Sequence, residues 1–174
     1  MNIAEILGLK WKHINLTDEW NTVDGESLQP WQIAVRGQWT LRQYGTVKAA
    51  GRKRYVVVPV LLAEALGKLK RGRPDDFVFA SQGSSGHPVD EKNVLRRHVR
   101  PAGVSLGMPW LAWHDLRRTF STLADQVGMS AGERQAVMGH DDQRMTARYT
   151  KTRTEQSRNA VERMAKIIRG TMVN

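Results

Sequence analysis

The hydrophobic period of the chain changes between residues 31 and 58, and that change does most to narrow the folds open to it. Residues 31–36, 40–47 and 54–58 are rich in β-branched and aromatic side chains and read as three short strands, with Gly37 and Ala49-Ala50-Gly51 turning between them. Elsewhere apolar residues recur at helical spacing. Ile3, Ile6, Leu7 and Leu9 form a first stripe behind Asn2, the one capping residue there. Leu61, Leu62, Ala65, Leu66 and Leu69 form a second, ended by Arg71-Gly72-Arg73-Pro74. Residues 90–99 are predicted helical with a stop at Pro101, and Leu116, Phe120, Leu123 and Val127 mark a buried face from Trp113 to Gly128. Ser130 and Glu133 make a capping box for the next helix. Thr152 and Glu155 can open a last one, which carries Ala160, Val161, Met164, Ile167 and Ile168 on one side and is expected to stop at Gly170. Residues 11–30 read as irregular and 81–88 as a small-residue loop, mobile or facing a partner. The fold class is therefore α+β, mainly helical with a small three-stranded antiparallel sheet.

A chain of 174 residues can bury a real core and favours one domain, and 40% hydrophobic with 25% charged residues is the balance of a folded protein. The apolar runs are too short to span a bilayer, and the first residues lack the blocks of a signal peptide, so no membrane partner is expected and the expected location is the cytoplasm. Zero cysteines exclude a disulfide scaffold, a thiolate nucleophile and every zinc site that needs sulfur. Chemistry is left to hydroxyl, imidazole, carboxylate, amine and guanidinium groups, and no metal or other cofactor is expected.

The formal charge of +10 is unevenly placed. Residues 48–118 carry 14 basic against 6 acidic side chains, while residues 1–47 carry 4 against 5. Arginine outnumbers lysine 18 to 9, and its planar fork matches a phosphate at two points. A polyanion, with nucleic acid foremost, is the partner such a surface attracts through summed potential and counterion release. Charge alone is equally compatible with a surface that only confers solubility.

Two strings carry the candidate chemistry. In Trp113-His-Asp-Leu-Arg-Arg-Thr-Phe120, His114 and Arg117 lie one helical turn apart and face the same way, although about half an H-x-x-R is expected by chance in a chain of this composition. In Met138-Gly-His-Asp-Asp-Gln-Arg-Met-Thr-Ala-Arg-Tyr149, a Gly-His precedes one of only three tyrosines by nine residues, with a chance expectation on the order of 0.01. In isolation His114 reads as a capping or core histidine, Arg117-Arg118 as a solvated face, and Tyr149 as an ordinary core or surface residue. Arg118 and Asp115 are open to either reading, Asp115 as a residue that merely orients a neighbour, and Trp113 can pack beneath His114.

Together the strings resemble the catalytic domain of the tyrosine recombinases, or phage integrases, which read H-x-x-R-x-T-F on one helix, then L-G-H, then M-T-x-x-Y. Ile6-Leu-Gly-Leu-Lys-Trp11 behind Glu5 is similar to the family's E-[IL]-L-x-L-x-W, and residues 48–54 with Val58-Pro59 are similar to its basic β-turn that ends in V-P. The likeness spans residues 2 to about 150 in the family's order. It implies DNA integration or excision by strand cleavage and rejoining, with double-stranded DNA as partner. Tyr149 would attack the phosphate to form a 3′-phosphotyrosine, and Arg117 would hold the phosphate oxygens. His114 and His140 would bond the phosphate or accept the tyrosine proton, and Lys48 would protonate the leaving oxygen, with Lys53 as its rival. Lys53, Arg54 and Arg118 are the expected DNA contacts. The resemblance also allows the stripe Val161, Met164 and Ile168 of the last helix to dock on a neighbouring protomer, giving a homo-oligomer on DNA, and its own core is the alternative.

The chain departs from the pattern in one place: the family's first catalytic arginine, three residues before Glu5, is Asn2 here. Residues 1–174 are therefore expected to be a catalytic domain incomplete at its start, without the amino-terminal DNA-clamping domain, and 152–174 its carboxy-terminal helix. Two further readings stand beside the recombinase: a catalytically inactive remnant that only binds DNA, and an unrelated helical DNA-binding regulator.

Overall fold

The structure, a computed structural model, describes residues 1–47, 53–69, 72–83, 86–139 and 152–172, and in the last helix the side chains of 158–170. Helix α1 (Ile3–Leu7) begins with a reciprocal cap in which Asn2 Oδ1 accepts from the Glu5 N–H and Glu5 Oε2 accepts from the Asn2 N–H, both at 2.8 Å. A 3-10 turn (Trp11–His13) leads into β1 (Ile14–Asn15). The strands β2 (Asn21–Val23) and β3 (Glu26–Leu28) pair across an Asp24-Gly25 turn with both φ positive. Then come β4 (Gln32–Val35), β5 (Gly37–Thr40), β6 (Gln43–Thr46) and β7 (Arg54–Val57).

The expected three-stranded antiparallel sheet exists and two of its strands fall in the expected runs, β4 within 31–36 and β7 within 54–58, but the third is β1 and not the run 40–47. Its order is β1-β4-β7, with Ile14 opposite Ile33 and Val35 opposite Arg54. Residues 14–15, within the stretch read as irregular, supply an edge only two residues long, which is too short for a period of two to register. The run 40–47 does not join this sheet. It folds back on Gly37–Thr40 as a separate hairpin, so Gly37 lies in a strand and the turn falls on Leu41 and Arg42, both with positive φ. The described residues thus hold three small sheets. In β4 all four side chains are buried: the strand lies between β1 and β7, Ile33 enters the main core, and β3 and the 3-10 turn pack against it.

Helix α1 packs directly on β5. A Cβ at Gly8 would stand 2.6 Å from the Gln38 Cα, and backbone cannot retreat as a side chain can. Gly8→Ala is accordingly expected to cost about 1–3 kcal/mol, read as a lower urea midpoint with an unchanged slope. An unchanged midpoint would show that the two backbones are not so close.

Helix α2 (Val60–Gly67) follows Pro59 and sends Leu66 into a core with Leu9, Trp11, Ile14, Ile33, Val58 and Val78. The loop at 81–88 is pinned at its base by an Ala80–Pro88 bridge. Helix α3 (Glu91–Val94), a π-helical turn (Leu95–Val99) and α4 (Arg100–Ser105) run on as one rod, so Pro101 does not stop the helix. The wider π turn directly before it relieves the clash and the lost bond that proline brings to a regular helix. Helix α5 (Trp113–Gln126) lies within the expected stretch, and α6 (Ala131–Met138) starts behind the expected Ser130–Glu133 capping box. Helix α7 (Thr152–Met172) passes through Gly170, which costs a helix on the order of 1 kcal/mol and does not by itself end one.

Helix α7 docks on its own chain. Ala160 and Met164 complete a second core with Ala124 and Met129, while Arg158 donates to Pro30 O, Glu162 accepts from the Val60 N–H, and Arg163 donates to Val127 O. Ile167 and Ile168, at the far end of the stripe, remain 44% and 37% exposed.

Candidate active site

The first turn of α5 presents His114 and Arg117. Ala112 precedes the helix and has no acceptor to cap it, but Asp115 Oδ2 takes the Ala112 N–H at 3.0 Å, which gives Asp115 a structural task. His114 is exposed and Arg117 half-buried on the same side. Arg118, a hundred degrees further round, is exposed, as a DNA contact must be.

Arg117 reaches across to α6, where its Nη2 donates to Met138 O at 2.8 Å. Burial lowers the affinity of this guanidinium for its proton, Glu5 raises it and Arg54 lowers it, and the net shift is downward. An arginine so placed still carries its charge at neutral pH. One of its five N–H donors is spent on α6, which orients the fork, and no other bond to it is formed among the described residues.

Arg54 is not where a DNA contact would be. It opens β7 with its side chain 8% exposed, and its guanidinium points inward. Nη1 and Nη2 grip the two oxygens of Glu5 at 3.0 and 2.8 Å, and Nε donates to Val137 O at 3.0 Å. The expectation that Arg54 binds DNA is therefore corrected: it belongs to a buried ion pair. Burial pushes the Glu5 carboxyl up, but Arg54 and the Asn2 N–H outweigh this and hold it below the ordinary range. Asn2, where the resemblance leads one to expect the family's first arginine, is spent on capping α1.

Lys53 is one residue from Arg54 and so faces the opposite way. It is exposed on the side of Tyr55, whose hydroxyl donates to Glu26, itself paired with Arg36. A cleft of about 320 Å³ lined by Lys10, Lys12, Glu26, Arg36 and Lys53 lies there. The rival of Lys48 is thus on the far face of the strand from Arg117. Lys48, His140 and Tyr149 lie outside the described residues.

Gly139 closes α6 in the left-handed region, at φ 71°. A Cβ there would meet Arg54 Nη1 at 2.5 Å, so glycine is required by the backbone and again by the guanidinium beside it. The structure brings together Asn2, Glu5, Arg54 and Arg117 around the last carbonyls of α6, directly before His140. Glu5 and Gly139 are not among the candidate site residues that the sequence singles out. Their signal was a carboxylate set among Ile3, Ala4, Ile6 and Leu7, and an arginine heading the apolar run Val56-Val57-Val58.

Compared with known proteins, the sequence matches the description "Phage integrase family" over residues 1–156. The chain belongs to the phage integrase family. It is 29% identical over 132 residues to the integrase of Mycobacterium phage L5, a match covering 70% of this chain and 34% of that protein. It is 27% identical over 179 residues to a "Tyrosine recombinase XerC-like" protein of Caldanaerobacter subterraneus subsp. tengcongensis, covering 91% of this chain and 44% of that one. The integrase of Mycobacterium phage FRAT1 is 26% identical over 130 residues, 71% of this chain and 38% of the relative. The chain therefore spans less than half the length of these relatives. No solved structure matches it. The H-x-x-R string stands on α5, and the G-H string begins at Gly139, the residue that closes α6. Among the described residues no helix is long and apolar enough to cross a membrane.

Proposed function

We propose that this chain carries the catalytic part of a site-specific DNA recombinase that cleaves and rejoins strands through Tyr149. The observation that supports the reading best is Arg117, held by Met138 O at the carboxy-terminal end of α6, one residue before Gly139-His140. The phenolic oxygen of Tyr149 bonds to phosphorus and the bond to the 5′ oxygen breaks, leaving a 3′-phosphotyrosine. Lys48 gives that oxygen its proton, and His140 or His114 takes the proton of the phenol. Arg117 stabilises the charge that develops on the non-bridging oxygens. A 5′ hydroxyl of another strand reverses the step with the bond energy conserved. Arg118, exposed on α5, contributes backbone contacts whose affinity falls with salt. Assembly on DNA through α7 requires the Ala160 and Met164 contacts to be exchanged for the same contacts on a neighbouring protomer.

The test is covalent trapping. In a DNA duplex nicked just to the 3′ side of the cleavage position, cleavage frees a short fragment that carries the 5′ hydroxyl and diffuses away, so the wild type should accumulate a protein–DNA adduct stable to denaturant. Protein that binds DNA and never forms the adduct would end the enzymatic reading while leaving the fold intact.

A second reading, an inactive integrase remnant that binds DNA, is favoured by the use of Asn2 as a helix cap. If transition-state charge requires two guanidinium groups, the missing one costs roughly 3–4 kcal/mol, by analogy with a lost oxyanion donor. Asn2→Arg should then raise adduct yield from near zero, even though loss of the cap costs about 1 kcal/mol of stability. A wild type that already cleaves well would dispose of the remnant reading.

A further inference from the structure

We infer that Leu41-Arg42, the tip of the β5–β6 hairpin, is a binding element that enters a groove of duplex DNA, with Leu41 against base edges and Arg42 on a phosphate. The inference deepens the reading above and rests on it, since it takes duplex DNA as the partner.

Two hairpins of the fold close with two-residue turns whose residues both have positive φ, 51° and 78° at Asp24-Gly25 and 51° and 60° at Leu41-Arg42. A turn of this kind follows the twist of its strands and favours Asn, Asp and Gly, for which a left-handed backbone is least unfavourable. Asp24-Gly25 obeys that preference. Leu41-Arg42 does not, because each carries a Cβ and a long side chain that the left-handed region penalises. Such strain persists in a fold where other contacts offset it. Leu41 makes no such contribution to the core, being 95% exposed. Arg42 is exposed as well, and its guanidinium forms no ion pair among the described residues. Folding alone favours Asn-Gly at this tip, so whatever Leu and Arg add is realised against another molecule.

The ribbon beneath the tip is braced. Trp39 and Tyr44 pack on the Phe77 ring with centroids 5.4 and 5.9 Å apart, and Lys10 Nζ lies 4.7 Å over the Tyr44 ring. On β5 the Gln38 backbone lies against Gly8 of α1. A tip held in this way loses little freedom when it binds.

The chemistry of the tip suits DNA. Residues 37–46 include no carboxylate, and their one charge is Arg42. Thr40 and Gln43, paired across the turn and both exposed, add a hydroxyl and an amide. Arginine, threonine and glutamine are side chains that bond phosphate and sugar. A two-stranded ribbon is of a size to enter the major groove, where an apolar side chain meets the thymine methyl.

The experiment compares the full chain with Leu41→Asn, Arg42→Gly and the double variant. It reads the urea midpoint, light scattering without DNA, and binding of a fluorescent duplex of mixed sequence at several salt concentrations. The double variant, with the turn pair that the backbone favours, should have a higher midpoint and bind the duplex about tenfold or more weakly. Arg42→Gly should lower the slope of log affinity against log salt by about one, whereas Leu41→Asn should weaken binding at an unchanged slope. Because the chain has no cysteine, Gln43→Cys gives a unique point for attaching an iron chelate, which should cut the bound duplex. A lower midpoint in the double variant would assign Leu41-Arg42 to folding and overturn the inference. So would wild-type affinity in that variant, or a tethered chelate that leaves bound DNA intact. A variant that binds DNA normally but changes in mass would assign the tip to a second copy of the chain, again overturning it. A wild type that binds no duplex removes the DNA reading itself, an outcome distinct from all of these.

Discussion

Tyr149→Phe is expected to abolish covalent capture of DNA while leaving DNA binding as it was. The substitution keeps the aromatic ring and removes only the oxygen that would bond to phosphorus, so the packing of residue 149 and the charges that attract phosphate are untouched. Loss of a covalent nucleophile that no neighbour replaces should lower adduct formation by at least about 10⁴-fold, or more than about 5 kcal/mol at roughly 1.4 kcal/mol per tenfold. The measurement is adduct yield on the nicked duplex, resolved on a denaturing gel, beside binding of an intact duplex at several salt concentrations. Binding should weaken with salt equally in both proteins. An adduct persisting in the phenylalanine variant would mean that another hydroxyl attacks.

Glu5→Ala should produce the largest loss of stability. It leaves the Arg54 charge buried at 8% exposure without its carboxylate, and breaking a buried pair in this way costs about 3–5 kcal/mol. Against a total of about 5–15 kcal/mol for an ordinary domain, that is a shift easily seen in a urea titration. The pH dependence follows from the same contact. The Glu5 carboxyl is held below its ordinary range in the folded protein, so its contribution is present above the unfolded value, about 4.3, and fades as pH falls through the folded value. The wild type should therefore lose stability on acidification below about pH 4.3, and Glu5→Gln should be flatter in that window and less stable at pH 7. Parallel curves for the two proteins would show that the carboxylate is not linked to folding.

Helix α5 and the start of α6 were legible in the sequence. The stripe Leu116, Phe120, Leu123 and Val127, the cap at Ser130 and the glycine at 128 act within one or two turns of backbone, so local pattern suffices to place them. The H-x-x-R string on α5 and the G-H string that follows Met138 were legible for the same reason, and with them the family. Of the sheet, β4 and β7 were legible as strands but the third strand was not, because β1 has two residues and its partner Gln32–Ile33 lies elsewhere in the chain. Pro101 misled because its penalty assumes regular α-helix, and a π turn removes it.

Arg54 shows where local reading ends. In sequence it is one of three adjacent basic residues, Arg52-Lys53-Arg54, all equally suited to phosphate. Which of them faces inward depends on strand register, and a single position separates exposed Lys53, just before β7, from buried Arg54 at its start. Register is set by pairing with β4, and burial by Glu5 on α1 and Val137 on α6, groups 49 and 83 positions away along the chain. The same holds for α7, whose apolar stripe fits its own core or a neighbour's alike, and which lies here against Ala124 and Met129. Chemical identity and local periodicity are carried by adjacent residues and survive in the linear order. Which charge is neutralised, and which carbonyl it orients, arises from contacts between segments far apart in that order, and no short string encodes them.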